Sequence, residues 1–310
     1  MSKYAIGVDV GGTTVKLGVL DTDGNLLNKW EIVTRKEDNG SHILPDIAAS
    51  IDEKLKEFNI AKDDVTGIGV GVPGPIDDNG VVHVAVNLGW GEFNVNETLT
   101  KLTGIPSKAG NDANVAALGE MWKGGGAGLN NIVMVTLGTG VGGGIIINGK
   151  ILAGVTGAGG EIGHIHINDD EEKACGCGNH GCLEQYASAT GVSNIAKKLL
   201  KQYNGKTVLT EADTSAKAVF DGVKAGDALC INIAKEFGFY LGKGLAIVAS
   251  TVNPEAFVVG GGVSKAGEVI FDYIKPSFDK FVFKSAGNAK FLLATLGNDA
   301  GMYGAAKLVL

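Results

Sequence analysis

The sequence predicts an α/β protein of two lobes with an internal duplication, and three observations carry that prediction. The chain has 310 residues, more than one hydrophobic core usually serves, because single cores stop growing at roughly 250 to 300 residues. Short β-branched runs alternate with stretches of helical period. A pattern of apolar run, glycine turn and apolar run near the N-terminus also returns well into the second half.

Tyr4 to Val10 is apolar, Gly11-Gly12 makes a turn, and Val15 to Leu20 is apolar ahead of Asp23-Gly24, so the chain begins with a hairpin. A third strand is predicted near Trp30 to Val33. Ile43, Ile47, Ile51, Leu55 and Phe58 recur at helical spacing, and Gly67 to Val72 reads as a strand, giving the order β-β-β-α-β. The pattern returns as Ile132 to Leu137, the turn Gly138-Thr139-Gly140, the run Gly144 to Ile147 and the hairpin turn Asn148-Gly149. Leu229, Ile233, Phe237 and Leu241 share one face of a long helix around Leu229 to Val252, and Phe257 to Val259 is a strand ending in Gly260-Gly261-Gly262. Phe291 to Leu296 reads as a strand, and Gly301 to Leu310 as a helix crossing back to the first lobe. The predicted division is a small lobe over 1–119, completed by the C-terminal helix at about 297–310, and a large lobe over 120–296.

A hydrophobic content of 45% with 20% charged residues is that of an ordinary globular protein. The formal net charge of -7 argues against a broad nucleic-acid or anionic-membrane surface, although backbone N–H groups can still hold a local anion. The opening stretch MSKYAIGVDVGG is too short for a signal peptide and is interrupted by Asp9, and no run reaches transmembrane length, so a cytoplasmic, reducing compartment is expected. The 49 glycines gather at the ends of β-branched runs, where tight turns and close backbone approach to a ligand call for a residue without Cβ.

Two glycine runs match the G-x-G-x-x-G spacing of dinucleotide folds, at Gly138, Gly140 and Gly143 and at Gly69, Gly71 and Gly74. That motif needs a helix starting inside the loop, whereas Gly144 to Ile147 reads as a strand and Pro73 and Pro75 break the other match. The turns Asp9-Val10-Gly11-Gly12-Thr13-Thr14 and Gly138-Thr139-Gly140 instead offer N–H groups and hydroxyls in a concave turn, the form that binds phosphate oxygens. One such turn alone reads as a tight hairpin. Two at matching places in a duplicated chain favour phosphate binding.

Cys175, Cys177 and Cys182 have C-x-C-x4-C spacing, with Gly176, Gly178 and Gly181 letting the chain wrap around a tetrahedral ion. Three thiolates suit zinc and leave one ligand to find, for which His164, His166 and His180 compete. Cys230, on an apolar helix face, reads as a core residue.

DVGGTTVK at 9–16, VPGPID at 72–77, NLGW at 87–90, GND at 110–112, GTGVGGG at 138–144, GEIGHI at 160–165 and CGCGNHGCLE at 175–184 resemble, in order and over nearly the whole chain, the ROK family of sugar kinases and sugar-responsive repressors. The resemblance implies an actin-like (hexokinase/RNase H-like) duplicated ATPase fold of two lobes with a central cleft. It implies ATP and Mg²⁺ as cofactors, with Asp112 as catalytic base, Asp9 positioning Mg²⁺, and Gly11, Gly12, Thr13 and Thr14 beside Gly138, Thr139 and Gly140 facing the phosphates. Gly261 and Gly262 resemble the adenosine-side loop. Lys16 falls within the motif but reads equally as a solvated strand residue. Asp112, taken by position alone, is also a helix N-cap. The family pattern gives the fourth Zn²⁺ place to His164, and the sugar contacts to Asn111, Asp112, Glu161, His164 and Glu184. Asn87 and Trp90 are expected near the cleft, with Trp90 also readable as core.

The expected activity is transfer of the γ-phosphoryl group of ATP to the 6-hydroxyl of a hexose, glucose foremost. Fructokinase, N-acetylhexosamine kinase and a non-catalytic sugar-sensing protein stand as alternatives. Retention of Asp9, Asp112 and both phosphate turns speaks against the last, and the family's DNA-binding domain would precede a loop that here begins at residue 9. Expected partners are the hexose and ATP, with no nucleic acid, no membrane, and a homodimer as the family form.

Overall fold

The computed structural model describes residues 3–310. In chain order the elements are β1 (Tyr4–Val10), β2 (Thr14–Asp21), β3 (Leu26–Val33), a single turn α1 (Glu37–Gly40), α2 (Ile43–Glu57), β4 (Val65–Val72), β5 (Val81–Val82), β6 (Phe93–Asn94), α3 (Val95–Thr103), β7 (Ser107–Asn111) and α4 (Asp112–Lys123). There follow β8 (Ile132–Leu137), β9 (Val141–Ile147), β10 (Lys150–Ile151), α5 (Glu184–Ala187), α6 (Ala189–Leu200), α7 (Ala216–Lys224), α8 (Ala228–Val252), β11 (Ala256–Gly260), α9 (Val269–Phe281), β12 (Lys290–Leu293) and α10 (Ala300–Lys307). No helix among the described residues is long and apolar enough to cross a membrane.

The chain forms two compact units: residues 1–130, 144–160 and 295–310 in one, and 131–143 and 161–294 in the other. The division runs through β9 and places the hairpin after Gly144 with the first unit.

The first unit is built on a five-stranded sheet of order β3-β2-β1-β4-β7. The hairpin β1–β2 is antiparallel, while β1–β4 and β4–β7 are parallel. Its core joins Ile6, Val8, Val70 and Val72 of the strands to Ile43, Ile47, Ile51 and Leu55, the apolar face of α2. Trp90 belongs to that core: it is 5% exposed and donates its indole N–H to the Gly40 carbonyl. Of the two readings of Trp90, the packed one holds.

The second sheet has the order β10-β9-β8-β11-β12, with β8, β11 and β12 parallel. Phe257 meets Phe278 edge to face at 5.8 Å, and Phe220 meets Phe237 at 5.6 Å. The two sheets repeat one plan, a hairpin closed by a three-residue turn (11–13 and 138–140) beside parallel strands. That is the duplication the sequence predicted. Asn148 and Gly149 both have positive φ, 52° and 74°, as a two-residue hairpin turn requires.

Candidate active site

In the first unit the turn after β1 holds its shape through backbone bonds: the Gly11 N–H donates to the Thr14 carbonyl at 3.0 Å, and the Thr34 hydroxyl donates to the Gly11 carbonyl at 2.7 Å. Gly12 and Thr13 are exposed at its tip, and a Cβ at Gly12 would meet nothing within 4 Å. The backbone there is open to an oxygen-rich ligand.

Asp9 and Lys16 are cross-strand partners in the β1–β2 register. Burial pushes the Asp9 carboxyl up to about 6; the Asp112 charge adds to that rise and the Lys16 ammonium opposes it. Asp9, Asp112 and Lys16 are therefore electrostatic neighbours in one unit. The Lys16 ammonium donates to the Asn298 carbonyl at 3.0 Å, so this lysine is held and does not wander in solvent. Gly301 of α10 packs against Asp9, where a Cβ would stand 2.6 Å from the carboxylate carbon.

Asp112 is the first residue of α4, and the helix N-cap is Asn111. The Asn111 side-chain oxygen accepts from the N–H groups of Ala113 at 3.0 Å and Asn114 at 3.1 Å. The capping reading of Asp112 is thereby corrected. The Asn111 amide nitrogen donates to the Gly74 carbonyl at 3.2 Å and to one Asp112 carboxylate oxygen at 3.0 Å, and that oxygen also accepts the Ala113 N–H at 2.9 Å. Asp112 is thus oriented by its neighbours while partly exposed.

In the second unit a ring nitrogen of His164 and the sulfurs of Cys175, Cys177 and Cys182 all lie within 4.8 Å of one another. The Cys177 and Cys182 sulfurs are 3.7 Å apart, and Cys175 Sγ is 3.8 Å from His164 Nδ1. A tetrahedron with bonds of about 2.3 Å has edges of about 3.8 Å, so this donor set fits a zinc ion. The other two histidines are engaged elsewhere: His166 bonds to the His180 carbonyl at 2.8 Å and to Asp169 at 2.7 Å, and His180 Nδ1 lies 3.2 Å from the Glu171 carbonyl. Among the three, the fold brings His164 to the thiols. Burial pushes the Cys175 thiol up to about 12 and raises that of Cys182, while the Asn179 N–H lowers that of exposed Cys177. Gly181 keeps the loop closed, since a Cβ there would clash with the Asn168 carbonyl.

Glu184, the first residue of α5, joins this loop to the second glycine turn. Its Oε1 accepts from the Cys175 thiol at 3.0 Å and lies 3.9 Å from His164 Nδ1. Its Oε2 accepts the Val141 N–H at 3.4 Å, and a Cβ at Gly140 would come within 2.5 Å of that oxygen. Glu161, more exposed, lies 3.9 Å from His164 Nε2. Thr139 is exposed at the tip of the turn, whose carbonyls take the Ala189 N–H and the Thr190 hydroxyl. A hollow of about 510 Å³ is lined by Thr139, Gly140, Cys175, Glu184 and Ser188 among others. A smaller one of about 170 Å³ is lined by Phe220, Asp221, Gly262, Val263 and Lys265. Gly261, with φ of 87°, turns its backbone against Leu137 at the head of the loop.

The ROK family profile matches residues 5–310. The chain belongs to the ROK family. A glucokinase of Halalkalibacterium halodurans is 45% identical over 313 residues, covering 99% of this chain and 95% of that protein. Among solved ROK structures, a Streptomyces griseus glucokinase in complex with glucose and AMPPNP is 34% identical with a TM-score of 0.73, covering 98% of both chains. A ROK hexokinase from Thermus thermophilus is 31% identical with a TM-score of 0.79, covering 98% of this chain and 96% of that one. The fold is the actin-like ATPase fold of the ROK sugar kinases.

Two residues near Asp9 and α10 were not singled out from the sequence. Gly301, against Asp9, was read only as the start of the C-terminal helix, and Glu120 was a polar residue on an apolar helix; the run Gly124-Gly125-Gly126 behind it was the available signal.

Proposed function

We propose that this chain is an ATP-dependent glucokinase that transfers the γ-phosphoryl group to the 6-hydroxyl of glucose. The observation that carries the proposal is the near full-length match to a glucokinase at 45% identity, and the residues described above in each unit supply its chemistry.

Phosphoryl transfer asks the protein mainly for positioning and for stabilising charge. Asp112 takes the proton of the acceptor hydroxyl, its carboxylate held by the Asn111 amide and the Ala113 N–H. The turns at Gly11–Thr14 and Gly138–Gly140 direct N–H groups and hydroxyls at phosphate oxygens, with Lys16 adding a cation. Asp9 would hold Mg²⁺, which would neutralise phosphate charge when bound; a carboxyl pushed up by burial and by Asp112 gains most from a cation beside it. Gly261 and Gly262 face the adenosine.

Glu161, His164 and Glu184 join Asn111 and Asp112 in binding sugar hydroxyls, because carboxylates are strong acceptors for them. Cys175, Cys177, Cys182 and His164 would hold a Zn²⁺ in a structural role, fixing the loop, while His164 Nε2, on the side of Glu161, would remain for the sugar. The four free cysteines among the described residues suit a reducing cytoplasm, and the working form is taken to be a homodimer, which light scattering would check. A coupled ADP-release assay over glucose, fructose, mannose and N-acetylated hexosamines tests the proposal: glucose is turned over with the highest kcat/KM, and no sugar-dependent ADP release would overturn it.

A further inference from the structure

Glu120 lies in the last turn of α4 and is fully buried, 0% exposed. A buried carboxylate is costly unless it is hydrogen-bonded. This one accepts three backbone N–H groups: Gly125 at 2.8 Å and Thr295 at 3.0 Å on Oε2, and Leu296 at 2.9 Å on Oε1. Gly124 makes the room, since a Cβ there would clash with Oε2. Two of the three donors lie 175 and 176 residues away in sequence, at the point where the chain rejoins the first unit ahead of α10.

The residues just beyond that grip touch the phosphate side of the site. The Asn298 carbonyl accepts from the Lys16 ammonium, Asp299 pairs with Lys29 at 2.7 Å, and Gly301 backs the Asp9 carboxylate. The body of α10 is seated by glycines that leave no room for a Cβ: Gly7 of β1 against Met302, Gly69 of β4 against Ala305, and Gly119 of α4 against Ala300. Those seats fix how closely the helix lies. The strand-to-helix joint at 295–299 has only a short 3₁₀ turn of its own, and the Glu120 carboxylate ties its backbone down.

We infer that Glu120 is a positioning residue for phosphoryl transfer: by gripping Thr295 and Leu296 it sets the joint whose Asn298 carbonyl holds Lys16 and which leads directly into α10, where Gly301 backs Asp9. The inference rests on the proposed placement of Asp9 and Lys16 at the phosphates. Charge-assisted bonds from three N–H groups to one carboxylate are the strong kind, and a displacement of an ångström at such a joint is enough to impair transfer.

The test is Glu120→Gln, which keeps size but swaps one accepting oxygen for an NH₂ that cannot accept. The expected result is a KM for Mg-ATP raised at least about fivefold with the KM for glucose changed less than about twofold. A double-mutant cycle with Lys16→Met should be clearly non-additive, because the two residues act through one joint. Ile51→Ala, in the α2 core of the same unit, controls for stability: it lowers the melting temperature without moving the ATP KM. An unchanged ATP KM in folded Glu120→Gln, or additive effects in the cycle, overturns the inference. If Lys16→Met alone leaves the ATP KM unchanged, the phosphate-side placement of Lys16 fails instead. Should Glu120→Gln not fold, hydrogen exchange of the wild type decides: coupling is reciprocal, so a non-hydrolysable ATP analogue with Mg²⁺ must slow exchange at the Thr295 and Leu296 amides. Unaltered exchange there overturns the inference.

Discussion

The Glu184 carboxylate accepts from the Cys175 thiol at 3.0 Å with one oxygen and from the Val141 N–H at 3.4 Å with the other. One side chain therefore reads the position of the cysteine loop and of the glycine turn together. If Glu184 also binds a glucose hydroxyl, a metal-fixed loop determines where that bond can form.

Glu184→Gln is accordingly expected to weaken glucose binding by about 1.5 to 3 kcal/mol, the scale of a hydrogen bond to a charged group. Zinc content should stay unchanged. A residue at a helix start with no ligand role would cost well under about 1 kcal/mol on the same change. Calorimetric glucose titrations of both proteins at equal zinc content separate the two, and indistinguishable affinities would remove Glu184 from the sugar site.

Asp112→Asn should retain glucose binding and lose most turnover. The amide oxygen can keep the bonds from Asn111 and the Ala113 N–H, but an amide does not accept the hydroxyl proton at neutral pH. A variant with more than about a tenth of the wild-type kcat would rule out Asp112 as the base.

One zinc per chain is expected in protein purified without chelator, and Cys177→Ala should lose both the metal and the glucose affinity. The folded core should survive, because the loop is local and the hydrophobic clusters lie elsewhere. Plasma emission analysis finding less than about 0.2 zinc per chain would count against a metal site.

Asp9→Asn is expected to abolish turnover yet stabilise the ligand-free protein at pH 7.5. The Asp9 carboxyl is raised from an ordinary 3.8 to about 6, chiefly by burial, so its ionised form is disfavoured in the native state. Below pH 3.8 both folded and unfolded chains hold the proton and the penalty vanishes; between 3.8 and 6 the unfolded chain ionises first and stability falls. Above pH 6 the cost is complete, at most about 3 kcal/mol. Denaturant midpoints of the two proteins at pH 4 and 7.5 check this: the gain of the variant must be present in full at the higher pH and largely lost at the lower. A gain independent of pH would mean that charge burial is not its cause.

Much of the fold was legible because the signals were local. Apolar runs closed by Gly11-Gly12 and by Gly138-Thr139-Gly140 became the two matching hairpins, and the spacing of Ile43, Ile47, Ile51 and Leu55 became the buried face of α2. The strand after Gly140 rather than a helix was also readable, and with it the rejection of a dinucleotide loop. The spacing of the three cysteines likewise announced that their sulfurs gather in one loop.

What only the tertiary structure decided were choices among equivalent candidates. Spacing alone left three histidines competing for the cysteine cluster, and only the family resemblance pointed to His164; the fold turns His166 and His180 to other partners. By position Asp112 read also as the cap of α4, but the cap is Asn111, whose side chain accepts the N–H groups of Ala113 and Asn114. Glu120 gave no sign of its role, since its donors at Thr295 and Leu296 are remote along the chain. Periodicity and turn chemistry act over a few residues and are written in the order of amino acids; which polar group meets which across the sheet depends on long-range packing, and packing exists only once the chain has folded.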